Sequence, residues 1–374
     1  MWSVVFLILG LLALLLAVLQ TKNFFDYRQR QKERGRKEPE TLRPITWTLY
    51  GAALFLLLLC LVIGIPGCRE QTASPSPETL PPEPSTVETL PEETAETIPE
   101  ETVAPWLTFP EDRTLTAKCH FVYDLYTGNF LKLSGDIEEV VYPASITKLF
   151  SIYVAKQHLK TDQLVTVGAA VKMVAAGSSL AKLKQGDQLT VGQLIEGMML
   201  PSGNDAAYVL AESVGRTLVG EDASAREAVD AFVAEMNRQA AALGLRNTHF
   251  TNPDGIHNAK HYTSLKDMIV IAFLTLTDPV VMQYAGTPAQ TVELPGNTMQ
   301  WTNSNALIQP ESKYYCPYAI GLKTGRTKAA GNCLLSAFSY EGSMYIIGVF
   351  GCPKTEDRFA DTLQLFNETI GYKG

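Results

Sequence analysis

An acidic stretch from Glu70 to Pro105 limits where this 374-residue chain can form a core. It contains nine glutamates and no Lys or Arg, and Pro, Thr and Ser fill many of its other positions. Such a composition buries too little apolar surface to offset chain entropy. We therefore predict a disordered spacer over 69–105 and a globular domain over 106–374, which is long enough for one sizeable core.

Two apolar runs without charged residues, Trp2 to Leu19 and Trp47 to Ile65, precede the spacer. At about 1.5 Å per residue, each nearly matches a hydrocarbon layer of roughly 30 Å, so both are predicted to be membrane helices. A cleaved signal peptide is the alternative for the first run, but no basic residue precedes it and no Ala-x-Ala site follows it. Loop 20–46 is rich in Lys and Arg, which favours the cytoplasmic side. Residues 1–68 are thus predicted to form a membrane hairpin with both ends outside.

Two features of this region have alternative interpretations. The segment Ile65-Pro66-Gly67-Cys68 resembles a lipoprotein processing site, but Pro66 is unusual there, so an unmodified cysteine is the preferred interpretation. The basic loop would also suit nucleic acid, yet its place between two membrane helices explains its charge more simply. With a net charge of −8 for the whole chain, we expect no nucleic-acid partner.

Within 106–374, predicted strands lie at both ends and predicted helices in the middle. The early strands are expected around His120–Gly128 and Glu139–Tyr142, the helices at Val191–Leu200, Asp205–Val214 and Ala225–Leu243, and the late strands at Tyr318–Thr324, Cys333–Tyr340 and Met344–Phe350. Such an order predicts an α/β (α+β) sandwich whose sheet is assembled from the two ends of the domain.

A nucleophile and a base stand close together in Ser145-Ile146-Thr147-Lys148. Apolar residues recur from Thr147 to Leu159 in a helical pattern, which places Ser145 in the first turn of a helix. Residues three apart share a helix face, so the Lys148 amine can reach the Ser145 hydroxyl. A lysine whose pKa is lowered by burial can take the proton of a serine nucleophile.

Two later motifs are ambiguous by themselves. Ser202-Gly203-Asn204 alone is more often a turn with a helix cap, and Lys323-Thr324-Gly325 alone a strand end. In order with Ser145-x-x-Lys148, however, they resemble the active-site set of penicillin-binding proteins and serine β-lactamases. The segments Leu194–Leu210 and Leu243–Gly255 further resemble serine-type D-alanyl-D-alanine carboxypeptidases, the low-molecular-mass penicillin-binding proteins.

The resemblance covers most of residues 115–370 and has structural and functional implications. It implies a five-stranded antiparallel sheet flanked by helices, the penicillin-binding protein and serine β-lactamase-like transpeptidase fold. It also implies removal of the terminal D-alanine from peptidoglycan stem peptides, inhibition by β-lactams and no cofactor. With the predicted hairpin, the domain is expected outside the cytoplasm on a bacterial cell membrane.

The resemblance also assigns catalytic roles to five residues. Ser145 is implied as the acylated nucleophile, Lys148 as general base and Ser202 as the relay of a proton to the leaving D-alanine. Asn204 is expected to hydrogen-bond the substrate amide and steady Lys148. Lys323 is expected to lower the pKa of Lys148 and to attract the terminal carboxylate.

Further residues are expected to bind substrate. Thr324 would donate a hydrogen bond to the terminal carboxylate, and Gly325 would leave room for substrate backbone. Strand alternation puts Lys323 and Thr324 on opposite faces, so the site must run along the strand's edge. The backbone amides of Ser145 and Arg326 are the expected oxyanion hole. Arg358 is a candidate for the carboxylate site, and a surface ion pair is the alternative.

A β-lactamase and a β-lactam sensor are the competing functions. Class A β-lactamases have Asp where this chain has Gly203, and the sequence has no convincing Glu-x-x-x-Asn segment to activate the deacylating water. A sensor needs an inside domain that signals, and loop 20–46 is short for one. The carboxypeptidase is therefore favoured.

Asp254, His257 and His261 could be considered for a metal site or for a serine triad. The turn signal Asn252-Pro253-Asp254-Gly255 disrupts the helical spacing of the two histidines. The Ser145–Lys148 pair already supplies a nucleophile and a base. We expect no metal.

Four cysteines lie in the globular part: Cys119, Cys316, Cys333 and Cys352. Four cysteines allow three full pairings, and the sequence does not choose among them. If the first and last strands are antiparallel neighbours, a Cys119–Cys352 bridge is the pairing we expect. Buried free thiols are the alternative.

Overall fold

The computed structural model describes residues 113–294 and 297–371. The predicted membrane helices 2–19 and 47–65, the basic loop 20–46 and the spacer 69–105 lie outside the described residues. The described strands are β1 Cys119–Asp124, β2 Asn129–Ser134, β3 Val140–Val141, β4 Leu164–Thr166, β5 Gln188–Thr190, β6 Thr263–Ser264, β7 Ala289–Leu294, β8 Asn297–Thr302, β9 Ala319–Thr327, β10 Gly331–Tyr340 and β11 Ser343–Cys352.

Seven α-helices accompany these strands in the described part of the chain. They are α1 Thr147–Ala155, α2 Val191–Met199, α3 Asn204–Val219, α4 Ala225–Ala242, α5 Leu265–Leu276, α6 Pro279–Ala285 and α7 Asp357–Phe366. Side chains fix where several of them begin. Thr190 and Gln193 form a capping box at the start of α2, and Ser224 and Glu227 form one at the start of α4.

The main sheet is assembled from the two ends of the domain, which confirms the prediction. Its strand order is β2-β1-β11-β10-β9, and every neighbouring pair is antiparallel. Strands β1, β10 and β11 are buried on both faces, so they read as apolar runs rather than as alternating patterns. On β10, Leu334 belongs to one core cluster and Leu335 to the other.

Helices cover both faces of the sheet. Helix α7 covers one face, where Phe366 stacks on Phe338 with ring centroids 4.8 Å apart. Helix α1 lies in the core on the other face, where Phe150 stacks on Phe250 with centroids 5.0 Å apart. Because α1 is enclosed by other helices and the sheet, its polar residues can meet side chains from distant parts of the chain.

The expected disulfide is wrong, although its premise holds. Strands β1 and β11 are antiparallel neighbours, but Cys119 lies opposite Phe350, in the core cluster that contains α1. Cys352 belongs to the cluster on the α7 face, where its Sγ lies 3.7 Å from Asp361 Oδ2. The two thiols therefore face opposite sides of the sheet. Cys119, Cys316, Cys333 and Cys352 are all free and buried.

In the described ranges, no single helix has the length and apolar character needed to span a membrane. Helices α5 and α6 pass that test only as a pair, with a bend of 101° between them.

The four buried thiols should resist alkylation until the domain unfolds. Burial raises the pKa of Cys333 to about 11, which disfavours the reactive thiolate, and the side chain is inaccessible. Alkylation without reductant, read by peptide mass spectrometry, should leave these four residues unmodified in native protein and modify all four after denaturation. A linked peptide that joins Cys119 to Cys352 would contradict the structure.

Candidate active site

The first motif occupies a tight turn that leads into α1. Ser145 lies in a 3-10 turn, Ala144–Ile146, that joins α1 directly, so the serine stands just before the helix rather than inside its first turn. Ala144 has φ +49°, a left-handed conformation that is costly for a residue with a side chain. Packing by the surrounding structure must therefore stabilise Ala144 in this unfavourable conformation.

Lys148 is fully buried in the first turn of α1, and its amine has three hydrogen-bond acceptors. Its Nζ lies 3.0 Å from Ser145 Oγ, 2.7 Å from Asn204 Oδ1 and 3.0 Å from the Asp254 carbonyl oxygen. Burial lowers the pKa of Lys148 to about 8, against the opposing effect of the Asp254 and Asp205 charges. An amine with such a pKa is partly neutral near pH 7 and can accept the serine proton.

The second motif connects α2 to α3. Ser202 has φ +59° and is 7 % exposed, and Asn204 is the first residue of α3. A Cβ on Gly203 would lie 2.8 Å from the backbone nitrogen of Ala181, so only glycine fits where the second motif packs against residues 179–181. A hydrogen bond from the Asn204 amide to the Ser179 carbonyl, at 2.8 Å, also joins the motif to that segment.

The third motif lies on β9, the edge strand of the sheet. Lys323 is 1 % exposed, and burial, together with the charges of Lys148 and Arg358, holds its pKa well below the ordinary value. The resemblance implies that Lys323 lowers the pKa of Lys148. In the structure burial is what lowers the pKa of Lys148, and the charge of Lys148 instead contributes to the lowered pKa of Lys323.

The edge position explains how neighbouring residues of β9 serve one site. Lys323 pairs with Leu335 and Thr324 with Leu334, two leucines that belong to opposite core clusters. Both β9 residues are buried, and the turn that holds Ser145 packs along this free edge. The turn that holds Ser145 therefore meets the third motif along the edge of β9.

Thr324 has a partner that no sequence pattern predicts. Its Oγ1 lies 2.6 Å from the hydroxyl oxygen of Ser304. The backbone amide of Ser304 donates to the carbonyl of Leu200, two residues before Ser202, at 3.2 Å. Ser304 thus connects the second and third motifs, and no local pattern in Thr302-Asn303-Ser304 signals that contact.

Two glycines enclose the residue before the nucleophile. A Cβ on Gly325 would lie 2.7 Å from the Pro143 carbonyl oxygen and 3.1 Å from Ala144 Cβ. A Cβ on Gly255, which has φ +86°, would lie 1.8 Å from the Ala144 carbonyl oxygen. Gly325 is expected to leave room for substrate, and what the structure shows is that it leaves room for the chain's own turn at Ala144.

The two candidate arginines differ in exposure. Arg326 is exposed on β9, after Gly325. Arg358 is 7 % exposed, so the alternative of a surface ion pair is wrong. Its Nη1 donates to the Gly325 carbonyl at 3.3 Å, and its Nε is buried without a hydrogen-bond partner among the described residues. Burial lowers the pKa of Arg358 to about 10.

The histidines near the site have other contacts. His261 is 2 % exposed, and its Nδ1 accepts from the Thr251 amide at 3.2 Å. Its Nε2 therefore carries the proton and donates to Thr147 Oγ1 at 2.8 Å. Burial lowers the pKa of His261 to about 3, so the ring stays neutral. His257 packs edge-on against Tyr142 with ring centroids 4.7 Å apart.

Across residues 113–294 and 297–371, no group of three or more His, Cys, Asp or Glu side chains is arranged to hold a metal ion.

Comparison with known proteins identifies a family for this arrangement. The family model described as D-alanyl-D-alanine carboxypeptidase, peptidase S11, matches residues 107–353. A D-alanyl-D-alanine carboxypeptidase of Streptomyces sp. strain K15 is 36% identical over 233 residues, which are 60% of this chain and 77% of the relative. The Escherichia coli K12 carboxypeptidase DacA is 33% identical over 270 residues, 69% of this chain and 61% of that relative.

Solved structures agree with the sequence comparison. The crystal structure of the Streptomyces K15 DD-transpeptidase superimposes with a TM-score of 0.62 and 31% identity, covering 70% of this chain and 99% of that one. The D-alanyl-D-alanine carboxypeptidase DacD from Francisella tularensis superimposes with a TM-score of 0.57 and 25% identity, covering 69% and 71% of the two chains.

Acylation of Ser145 should become faster as pH rises through about 8, because only the neutral Lys148 amine can take the serine proton and its pKa lies there. The rate constant for labelling by a fluorescent penicillin, measured across pH, checks this. A rate that is independent of pH through this region would contradict the assignment of Lys148 as base.

Replacement of Asn204 by alanine should slow the same labelling by about 100-fold, the order expected when a group at the reacting centre is misplaced by about 1 Å. Lys148 would lose its 2.7 Å acceptor and its fixed position. Asn258→Ala, at an exposed turn where the side chain accepts only from the Lys260 amide, is the control and should label normally. Equal labelling rates for the two variants would count against the role of Asn204.

Proposed function

Because the chain belongs to the peptidase S11 family of D-alanyl-D-alanine carboxypeptidases, and is thus a serine-type peptidase, we propose that it removes the terminal D-alanine from peptidoglycan stem peptides through an acyl-enzyme on Ser145. The observation that carries this proposal is the Lys148 amine, buried and 3.0 Å from Ser145 Oγ. That distance is short enough for direct proton transfer.

The proposed reaction has two stages. Lys148 takes the hydroxyl proton while Ser145 Oγ attacks the carbonyl carbon of the penultimate D-alanine. The peptide bond breaks, and the proton passes through Ser202 to the nitrogen of the leaving D-alanine. Water then attacks the ester on Ser145, gives up a proton to Lys148 and releases the shortened peptide, with Oγ protonated again.

Substrate binding is proposed to depend on β9. The terminal carboxylate would be attracted by Lys323 and Arg358 and would accept a hydrogen bond from Thr324. The unpartnered Nε of Arg358 supports this assignment, because a buried guanidinium without an anion is costly. The amides of Ser145 and Arg326 are proposed to stabilise the oxyanion, which is consistent with the close packing of Gly325 against the Ser145 backbone.

We also propose that the enzyme acts outside the cytoplasm of a bacterial cell, held to its membrane by residues 1–68. The uncharged runs and the basic loop between them support the anchor. The acidic spacer would set how far the domain reaches from the membrane, on the order of 110 Å if fully stretched as polyproline.

Ser145→Ala should abolish covalent labelling by a fluorescent penicillin and abolish release of D-alanine from a stem pentapeptide. Wild-type protein should label stoichiometrically and lose the label slowly. Ser213→Ala is the control, since that hydroxyl donates only to the Val209 carbonyl of its own helix.

These assays also separate the competing functions. Release of free D-alanine by the wild type supports the carboxypeptidase, acylation without any turnover would support the sensor, and rapid hydrolysis of penicillin would support the β-lactamase.

A further inference from the structure

Asp254 is a buried carboxyl group with too few hydrogen bonds. It is 1 % exposed, its Oδ1 accepts from the Ile256 amide at 3.2 Å, and its Oδ2 is buried without a partner among the described residues. Asp205, also buried, accepts from the amides of Ala181 and Leu183 at 2.7 and 2.9 Å. Native proteins seldom leave a buried carboxylate so poorly satisfied, which calls for a functional reason.

The main chain of Asp254 is already part of the catalytic site. Its carbonyl oxygen accepts from Lys148 Nζ at 3.0 Å. The preceding carbonyl, that of Pro253, accepts from Ser151 Oγ on α1 at 2.7 Å, and the following residue, Gly255, packs against Ala144. The carboxyl group therefore belongs to the same buried turn as the carbonyl that binds the Lys148 amine, although no oxygen of the carboxylate lies within ion-pair distance of that amine.

The other charged and titratable groups around this carboxyl leave Lys148 as its main partner. Lys148 comes from α1, and Asp205 and Tyr208 come from α3. Lys323, from β9, is affected by the charge of Lys148 rather than by that of this carboxyl. His261, from the same loop region, is neutral because burial lowers its pKa to about 3. Of the two carboxylates that act on Lys148, Asp254 has the larger effect, and it raises the pKa of the amine.

We propose that Asp254 is a positioning residue that controls the protonation of Lys148, and with it the pH range in which Ser145 is acylated. An ionised Asp254 stabilises the Lys148 ammonium and delays acylation until higher pH. Burial raises the pKa of Asp254, which limits this effect and keeps the amine available nearer to neutrality. The inference rests on the proposed acylation of Ser145.

The test compares the pH dependence of labelling by a fluorescent penicillin in full-length wild type, Asp254→Asn and Asp254→Ser. Both substitutions remove the charge, so the midpoint of the rise in labelling rate should move to lower pH by about one unit, the size expected for loss of one nearby charge. At a pH well below the midpoint, the labelling rate of each variant, divided by its own plateau rate at high pH, should then be about tenfold higher than the same ratio in the wild type. The midpoint depends only on molecules that react, so partial loss of folded protein does not change it.

Asp267→Asn is the matched control. Asp267 is also buried, at 3 % exposure, and accepts from the Asn247 amide at 3.0 Å and from Thr248 Oγ1 at 2.7 Å. It is not among the charges that shift Lys148, so its replacement should leave the midpoint in place.

Each outcome decides between the alternatives. Equal midpoints in wild type and both Asp254 variants would overturn the inference and leave the proposed function intact. Variants that fail to fold would assign Asp254 to stability and overturn it as well. A wild type that does not label at any pH would overturn the proposed function together with the inference.

Discussion

The buried amine of Lys148 is the constraint on which the rest of the site depends. An ammonium or amine inside a protein is tolerated only when acceptors replace the lost water. Here they come from Ser145 in the adjoining turn, from Asn204 at the start of α3 and from the Asp254 carbonyl in the loop after α4. Three segments that are far apart in sequence must therefore be in place before the nucleophile has its base.

A second constraint is backbone strain, which recurs at all three motifs. Ala144, Ser202 and Leu322, with φ values of +49°, +59° and +94°, stand before or within the three motifs. Only two other non-glycine residues in the described ranges, Lys182 and Glu341, have positive φ. Each such residue costs on the order of 1–3 kcal/mol, which the packed core must offset. Strain is thus concentrated where the chain has to present Ser145, the Ser202 hydroxyl and Lys323.

Much of the architecture could be predicted from the sequence, because motif order and apolar runs are local signals. The strands at both ends, the helices in the middle and the short spacing of Ser145 and Lys148 were all predictable. The Asp254 carbonyl could not be identified as a partner of Lys148, because any residue supplies a carbonyl and the turn signal in Asn252–Gly255 says nothing about what the turn packs against.

Other errors arose from tertiary effects that local patterns do not contain. The Cys119–Cys352 pairing failed because a register irregularity between β10 and β11, with Gly351 at φ +76°, places Cys352 on the α7 face. A one-residue change in register exchanges the two faces of a strand. Arg358 is the second residue of the amphipathic helix α7, and only the packing of that helix under Gly325 shows that its guanidinium is buried.

The two glycines that enclose Ala144 make the position of Ser145 sensitive to residues that are distant in sequence. With Gly325 on one side and Gly255 on the other, the backbone before the nucleophile is packed closely on both sides. A side chain at either glycine would displace the turn that holds Ser145, and with it the 3.0 Å separation between Ser145 Oγ and the Lys148 amine.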